Sequence, residues 1–240
     1  MRRAFFAGLG PRVPSLATGL AASLLVLARA HPARAGDGAG SDPAARATEA
    51  RAGRWASLGL LTGPTLPDPS LSDYQWRMTP RIGWGAESFT GIGRYAAGIR
   101  VWSTSTPQEL GVSGAPAATT VTRTSFELVG RATLARLAGY EWTASASAGR
   151  VHLGYRPDQV SISTAGGPVD VSFAPLDEWI GGGGLGLRRP LAGPWSAGLE
   201  LEHRIFALDT AHRAGTTVVS ERSTFGDWSA RLALTRNLHW

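Results

Sequence analysis

The sequence predicts an all-β protein: an eight-stranded antiparallel transmembrane up-and-down β-barrel. Three observations predict it. Period-two alternation recurs along the chain, with one face apolar and the other polar or charged. The connections between these stretches alternate between short turns and long loops. Aromatic residues collect at both ends of the strands, about a bilayer core apart. The last thirteen residues, Trp228 to Trp240, show the alternation and both aromatic ends in one segment. Trp240, Leu238, Arg236, Leu234, Leu232, Ala230 and Trp228 fall on one face. His239, Asn237, Thr235, Ala233, Arg231 and Ser229 fall on the other.

Residues 1–35 have the form of an export signal. Arg2, Arg3 and Arg12 are followed by an apolar run from Leu16 to Ala28, shorter than the roughly 20 residues of a membrane-spanning helix. Ala33-Arg34-Ala35 fits a small-x-small cleavage site, with Ala28-Arg29-Ala30 as the alternative. Residues 36–53 have no strand pattern and read as a flexible lead-in. The barrel is expected over residues 54–240.

Within it the first strand is expected at Trp55–Leu61, followed by a Pro-rich loop over Gly63–Pro80. Arg81–Ser88 and Arg94–Thr104 follow, joined by the short Phe89–Gly93. After a loop over Ser105–Ala118 comes Thr119–Ala135, then a turn at Arg136–Gly139 and a fifth strand over Tyr140–Arg156. In that strand the apolar set changes from Trp142, Ala144, Ala146 and Ala148 to Val151, Leu153 and Tyr155, which predicts a β-bulge near Gly149. The longest loop, Pro157–Asp177, contains Val160/Ile162 and Val169/Val171/Phe173 around Ala165-Gly166-Gly167, the pattern of a raised hairpin.

The sixth strand, Glu178–Arg189, carries Gly181 to Gly184. No GK[ST] motif or helix start follows, so a phosphate loop is disfavoured. Tight packing with Gly182, Gly184 and Gly186 facing in is expected instead. Strand seven is expected at Trp195–Leu208 after a turn ending at Pro194. A polar loop over Asp209–Thr224 then precedes the closing strand.

This pattern resembles the small eight-stranded outer-membrane barrels, such as the transmembrane domain of outer-membrane protein A and its outer-membrane protein W relatives. The likeness covers roughly residues 53–240, and no motif selects a subfamily. It implies short periplasmic turns, long extracellular loops and residence in the bacterial outer membrane. It also implies two partners: outer-membrane lipid, and the barrel-assembly machinery acting through the last strand, which ends at Trp240.

Composition narrows the function. The chain has 24 Arg, no Lys and 18 acids, a net charge of +6. Removing residues 1–35 leaves 19 Arg against 18 acids, a balance of +1. Basicity is therefore no evidence for nucleic-acid binding. The absence of Cys excludes thiol catalysis and thiolate metal sites.

The inward faces carry a ladder of charge: Arg81, Glu87, Arg94, Arg100, Glu127, Arg131, Glu141, Arg188, Glu200, Glu202, Arg204 and Arg231, with Arg123 beside them. Eight strands leave room only for side chains, and buried charges need partners, so a plug of ion pairs is expected. Aromatics expected at the membrane interfaces are Trp55, Tyr95, Trp142, Trp179, Trp195, Trp228 and Trp240. Trp102, Tyr155 and Phe206 also fall at the outer edge. His203 falls on the lipid-facing side of strand seven. His212 lies near Asp209, Thr210 and Ser220, but the spacing matches neither a hydrolase triad nor a metal site. No catalytic, cofactor-binding or metal residue is assigned. The expected role is a non-enzymatic, structural or surface-interaction one. The rivals are a narrow solute channel, a lipid A-modifying enzyme and a soluble lipocalin-like barrel.

Overall fold

The computed structural model describes residues 54–110, 117–164, 166–214 and 217–239. The expected export signal, the lead-in and Trp240 lie outside the described residues, as do the side chains of His212, Thr210 and Ser220. Ten strands run in chain order: β1 (Arg54–Leu66), β2 (Arg81–Ile92), β3 (Tyr95–Leu110), β4 (Ala117–Leu137), β5 (Tyr140–Arg156), β6 (Gln159–Thr164), β7 (Gly167–Ser172), β8 (Leu176–Pro190), β9 (Trp195–Ala214) and β10 (Thr217–His239). A short 3-10 helix, Pro69–Tyr74, lies between β1 and β2.

Eight of the strands close into a barrel in the order β1-β10-β9-β8-β5-β4-β3-β2. Every barrel pair is antiparallel, and β1 against β10 completes the ring from Trp55↔His239 to Leu66↔Trp228. Closure leaves the barrel itself no edge strand to template unwanted pairing. β6 and β7 form a separate hairpin inside the longest connection, as the Ala165-Gly166-Gly167 centre predicts. At one end, here the turn end, the links are residues 93–94, 138–139 and 191–194. The other end, the mouth, carries the links 67–80 and 157–175 and the far ends of β3, β4, β9 and β10.

Three expectations need correction. The strands at the mouth are longer than predicted. β3 continues to Leu110, β9 to Ala214, and β10 begins at Thr217, so most of the expected loops 105–118 and 209–224 are ladder. Thr119, Thr120, Val121 and Thr122 on one side and Thr217, Val218 and Val219 on the other supply the β-branched residues that such strands favour.

Second, β5 has no bulge at Gly149. Its pairing with β4 is unbroken from Thr120↔Arg156 to Thr133↔Thr143, and the shift falls between Thr133 and Ala135 of β4. Gly149 stays in register because it faces in. A Cβ there would strike the Phe126 carbonyl oxygen and Glu127 Cα. What changes along β5 is the chemistry of the inner face: Thr143, Ser145 and Ser147 give way to Val151 and Leu153, all buried.

Third, the Pro-rich link 67–80 folds across the mouth. Its helix is capped by Asp68, whose Oδ1 accepts from the Ser70 N–H at 2.9 Å. Leu71 and Trp76 are buried beneath it.

Two layers fill the interior. The half toward the turn end is ionic. The half toward the mouth is apolar, built from Val121, Val151, Leu153, Ile180, Phe206, Leu208 and Phe225 with Leu71 and Trp76 of the strap. The outer wall is the reverse of the ionic layer. Leu60 and Leu128 are 70 % exposed and Trp84 69 %, whereas Arg100 is 1 % and Glu202 0 % exposed.

Candidate functional site

The interior charges come from five strands whose inward positions converge on the axis. Arg100 of β3 is the hub. Its Nη2 lies 2.8 Å from Glu200 Oε2 and 3.1 Å from Glu87 Oε2, and its Nη1 lies 3.2 Å from Glu202 Oε1. Arg131 of β4 bridges Glu87 and Glu200, each at 3.2 Å, and its guanidinium sits over the Phe89 ring at 4.0 Å. Arg231 of β10 contacts Glu202 and lies over Trp102. Above this, Arg204 joins Glu127 at 3.5 Å and Asp227 at 2.9 Å, and Arg123 contacts Asp227. Ser145 and Ser147 donate to Glu200 and Glu202, at 2.8 and 3.2 Å.

Five arginines thus face five carboxylates. That balance is what a low-dielectric interior requires of charges that stay charged. β8 makes the room. A Cβ at Gly182 or Gly184 would meet the backbone of β9 at 2.6 or 2.7 Å, with Arg204 and Glu202 directly behind.

The structure places the remaining ladder residues differently. Glu141 and Arg188 lie at the turn end. Glu141 pairs with Arg136 at 2.9 Å and accepts from the Thr133 hydroxyl at 3.1 Å. Arg188 lines a cavity of about 30 Å³ with Glu87, Arg131, Thr143 and Glu200. Such a space holds about one water molecule. Arg81 starts β2 near the mouth and is half-buried. Arg94 is not in the lumen at all. It sits in the β2–β3 turn, exposed, donating to the Tyr95 hydroxyl at 2.8 Å. The turn begins one residue before Arg94, which moves it off the strand face. Asp227, buried in the plug, is absent from the expected ladder because the expected closing strand begins at Trp228; its parity with Ser229 and Arg231 is the signal that finds it.

The aromatics divide similarly. Tyr95, Trp142 and Trp195 point outward at the turn end, and Trp179 and Trp228 point outward toward the mouth. Trp55 does not belong with them. It shares the inward parity of Ser57 and Leu61, and a Cβ on its ladder partner Gly91 would strike its ring. Trp102 and Phe206 are also inside and fully buried, and Tyr155 packs against the apolar layer, stacked on Phe173 at 4.9 Å. These three fall at the expected height but on the wrong face. Inside the mouth, large rings fill space that polar residues fill lower down. His203 keeps its predicted outward position with no slip in β9, its ring 4.7 Å from that of Trp228.

Interaction around the strap completes the closure. Asp68 Oδ2 accepts from the Gly226 N–H at 2.7 Å. Gln108 Nε2 donates to the Tyr74 carbonyl at 3.0 Å, and Arg77 pairs with Glu109. Tyr74 meets Phe225 edge-on at 5.7 Å.

A closed up-and-down barrel of eight strands, charged within and apolar without, has the architecture of the small outer-membrane barrel proteins. No family model matches the chain, and no curated protein matches it. Solved structures do. Outer membrane protein AlkL in lipid bilayers is similar at 14 % identity, over 88 % of this chain and 97 % of that one, with a TM-score of 0.47. Outer membrane protein OprG from Pseudomonas aeruginosa is similar at 8 % identity over 79 % and 97 %, with a TM-score of 0.45. Neisserial surface protein A is similar at 9 % identity over 75 % and 96 %, with a TM-score of 0.41.

Proposed function

We propose that this protein is a non-enzymatic barrel of the bacterial outer membrane, with a closed lumen and a structural or surface-interaction role. The observation that carries the reading is the filled interior. An ionic layer, an apolar layer and a strap are stacked along one axis, and the cavity beside the ionic layer at the turn end is only about 30 Å³. A solute path would need several of these contacts to break together. The apolar wall supports insertion in lipid, since in water so much exposed Leu, Ile and Trp favours association. In that orientation the turn end is periplasmic and the mouth extracellular. The two proposed partners are outer-membrane lipid around the wall and the barrel-assembly machinery at the last strand.

Planar-bilayer conductance tests the closed lumen. A folded, heat-modifiable barrel that stays silent is expected, and sustained conductance would overturn the reading. Leu60→Arg tests the membrane. It should cost about 2–4 kcal/mol of stability in bilayers, as an arginine on the lipid face near the midplane does. A variant as stable as the wild type there would place this wall in water.

A further inference from the structure

We propose that the outward face of β5 around Arg150 binds the phosphate of an outer-leaflet glycolipid. The inference rests on the outer-membrane reading above and adds a site to it. Along the outward parity of β5, Ala144, Ala146 and Ala148 are followed by Arg150, His152 and Arg156. The neighbouring strand changes in step. Leu128 and Phe126 are followed on β4 by Thr124, Thr122 and Thr120, in ladder register with Ala148, Arg150, His152, Gly154 and Arg156. On β8, Leu185 and two glycines lead to Trp179 and Asp177.

The height of this switch matches an interface. Arg150 lies ten residues above Tyr140, the first residue of β5. At roughly 3.3 Å per residue and a tilt of about 35–45°, that is about 25 Å along the axis, the height of a barrel's apolar band. Phe126 and Trp179 are the direct ladder neighbours of Arg150, and both are more than half exposed. They give acyl chains an apolar seat just where the basic stripe begins.

The guanidinium is held but not neutralised. It lies over the Trp179 ring at 5.1 Å, and its Nη2 donates to the Asp177 carbonyl at 3.2 Å. It makes no ion pair with a carboxylate among the described residues. The acid in the stripe, Asp177, is engaged by His152 Nδ1 at 3.0 Å. A planar fork with free donors, held by an aromatic face at headgroup depth, suits a phosphate. Other outward arginines differ. Arg222 is satisfied by Glu178 and Asp209, and Arg189 sits at the opposite end.

The test uses the full chain in detergent, titrated with bisphosphorylated lipid A and read by native mass spectrometry. Arg150→Gln should weaken binding about fivefold, the worth of one arginine near an anionic surface, and Arg150→Gln with Arg156→Gln further still. Arg189→Gln should bind as the wild type does. Dephosphorylated lipid A should bind equally to all of them. Equal binding of the phosphorylated lipid to wild type and Arg150→Gln overturns the site. Full competition by millimolar inorganic phosphate overturns the lipid as occupant. A gel comparing boiled and unboiled protein shows that each variant is folded. A protein that stays soluble without detergent would instead overturn the membrane reading itself.

Discussion

The two halves of the lumen are built on the same alternation and filled with opposite chemistry. Near the turn end, Arg100 holds three carboxylates whose side chains are at most 10 % exposed. Near the mouth, Phe206, Phe225, Val151 and Leu153 pack as an apolar cluster, with the Arg123 guanidinium lying over the Phe206 ring at 5.0 Å where the two layers meet. The ionic half must satisfy every group at once, whereas the apolar half only needs to exclude space. The difference teaches that the inside of a small barrel is defined by direction and volume, not by polarity.

The largest effect should come from breaking the ionic half at its hub. Arg100→Leu leaves Glu87, Glu200 and Glu202 without their shared cation. Loss of one partner from a buried charge set costs about 3–5 kcal/mol. Urea unfolding in detergent micelles should register it, and a change below about 1 kcal/mol would mean that the interior is hydrated enough to absorb the loss.

The apolar half should respond less. Leu71→Ala removes the buried strap residue and should cost about 2–3 kcal/mol, because an exposed link can partly collapse into the gap. Its effect should also be local. Trp76 fluorescence should shift while the β1–β10 ladder keeps its amide protection. Global loss of protection would show that the strap and the ring unfold as one.

The smallest effect concerns the cap that holds the strap. Asp68→Ala should cost about 1 kcal/mol, the usual worth of a side-chain cap. Burial alone would raise the pKa of this carboxyl. The hydrogen bonds from the Ser70 hydroxyl and from the Gly226 and Ser70 N–H groups outweigh it and hold the group below its ordinary value of 3.8. A depressed folded-state pKa means that its contribution is full above that ordinary value. The contribution is lost as pH falls through the lower one. Trp76 fluorescence should therefore move on acidification below about pH 4 in the wild type. A flat trace in the wild type would remove Asp68 as the fastening.

Much of the ring was legible because β-strand alternation leaves a direct trace in sequence. Leu199, Leu201 and Ile205 against Glu200, Glu202 and Arg204 assign both faces of β9. The glycines of β8 were legible for the same reason, since they face the bulkiest charges of the neighbouring strand. The mouth was not. Val151, Leu153 and Tyr155 imply a change of phase only if apolar residues must face out, and here they face in. Trp102 and Phe206 were placed at the right height, but an aromatic ring suits a lipid interface and a plug equally well. Pairings such as Arg123 with Asp227 join strands far apart in sequence, and only the closed ring brings them together. Arg94 was misplaced by one residue at a turn, an error that costs a whole face in a structure of period two.

The length of β9 and β10 has a consequence for whatever approaches the cell. β10 has 23 residues. At about 3.3 Å each and a tilt of about 35–45° they rise roughly 55–60 Å, against an apolar band of about 25 Å. On the outer-membrane reading, about half of this hairpin stands clear of lipid as rigid ladder. An antibody or phage receptor-binding tip meeting it would recognise the shape of a paired backbone. Such an epitope would be discontinuous, and boiling the protein would erase it.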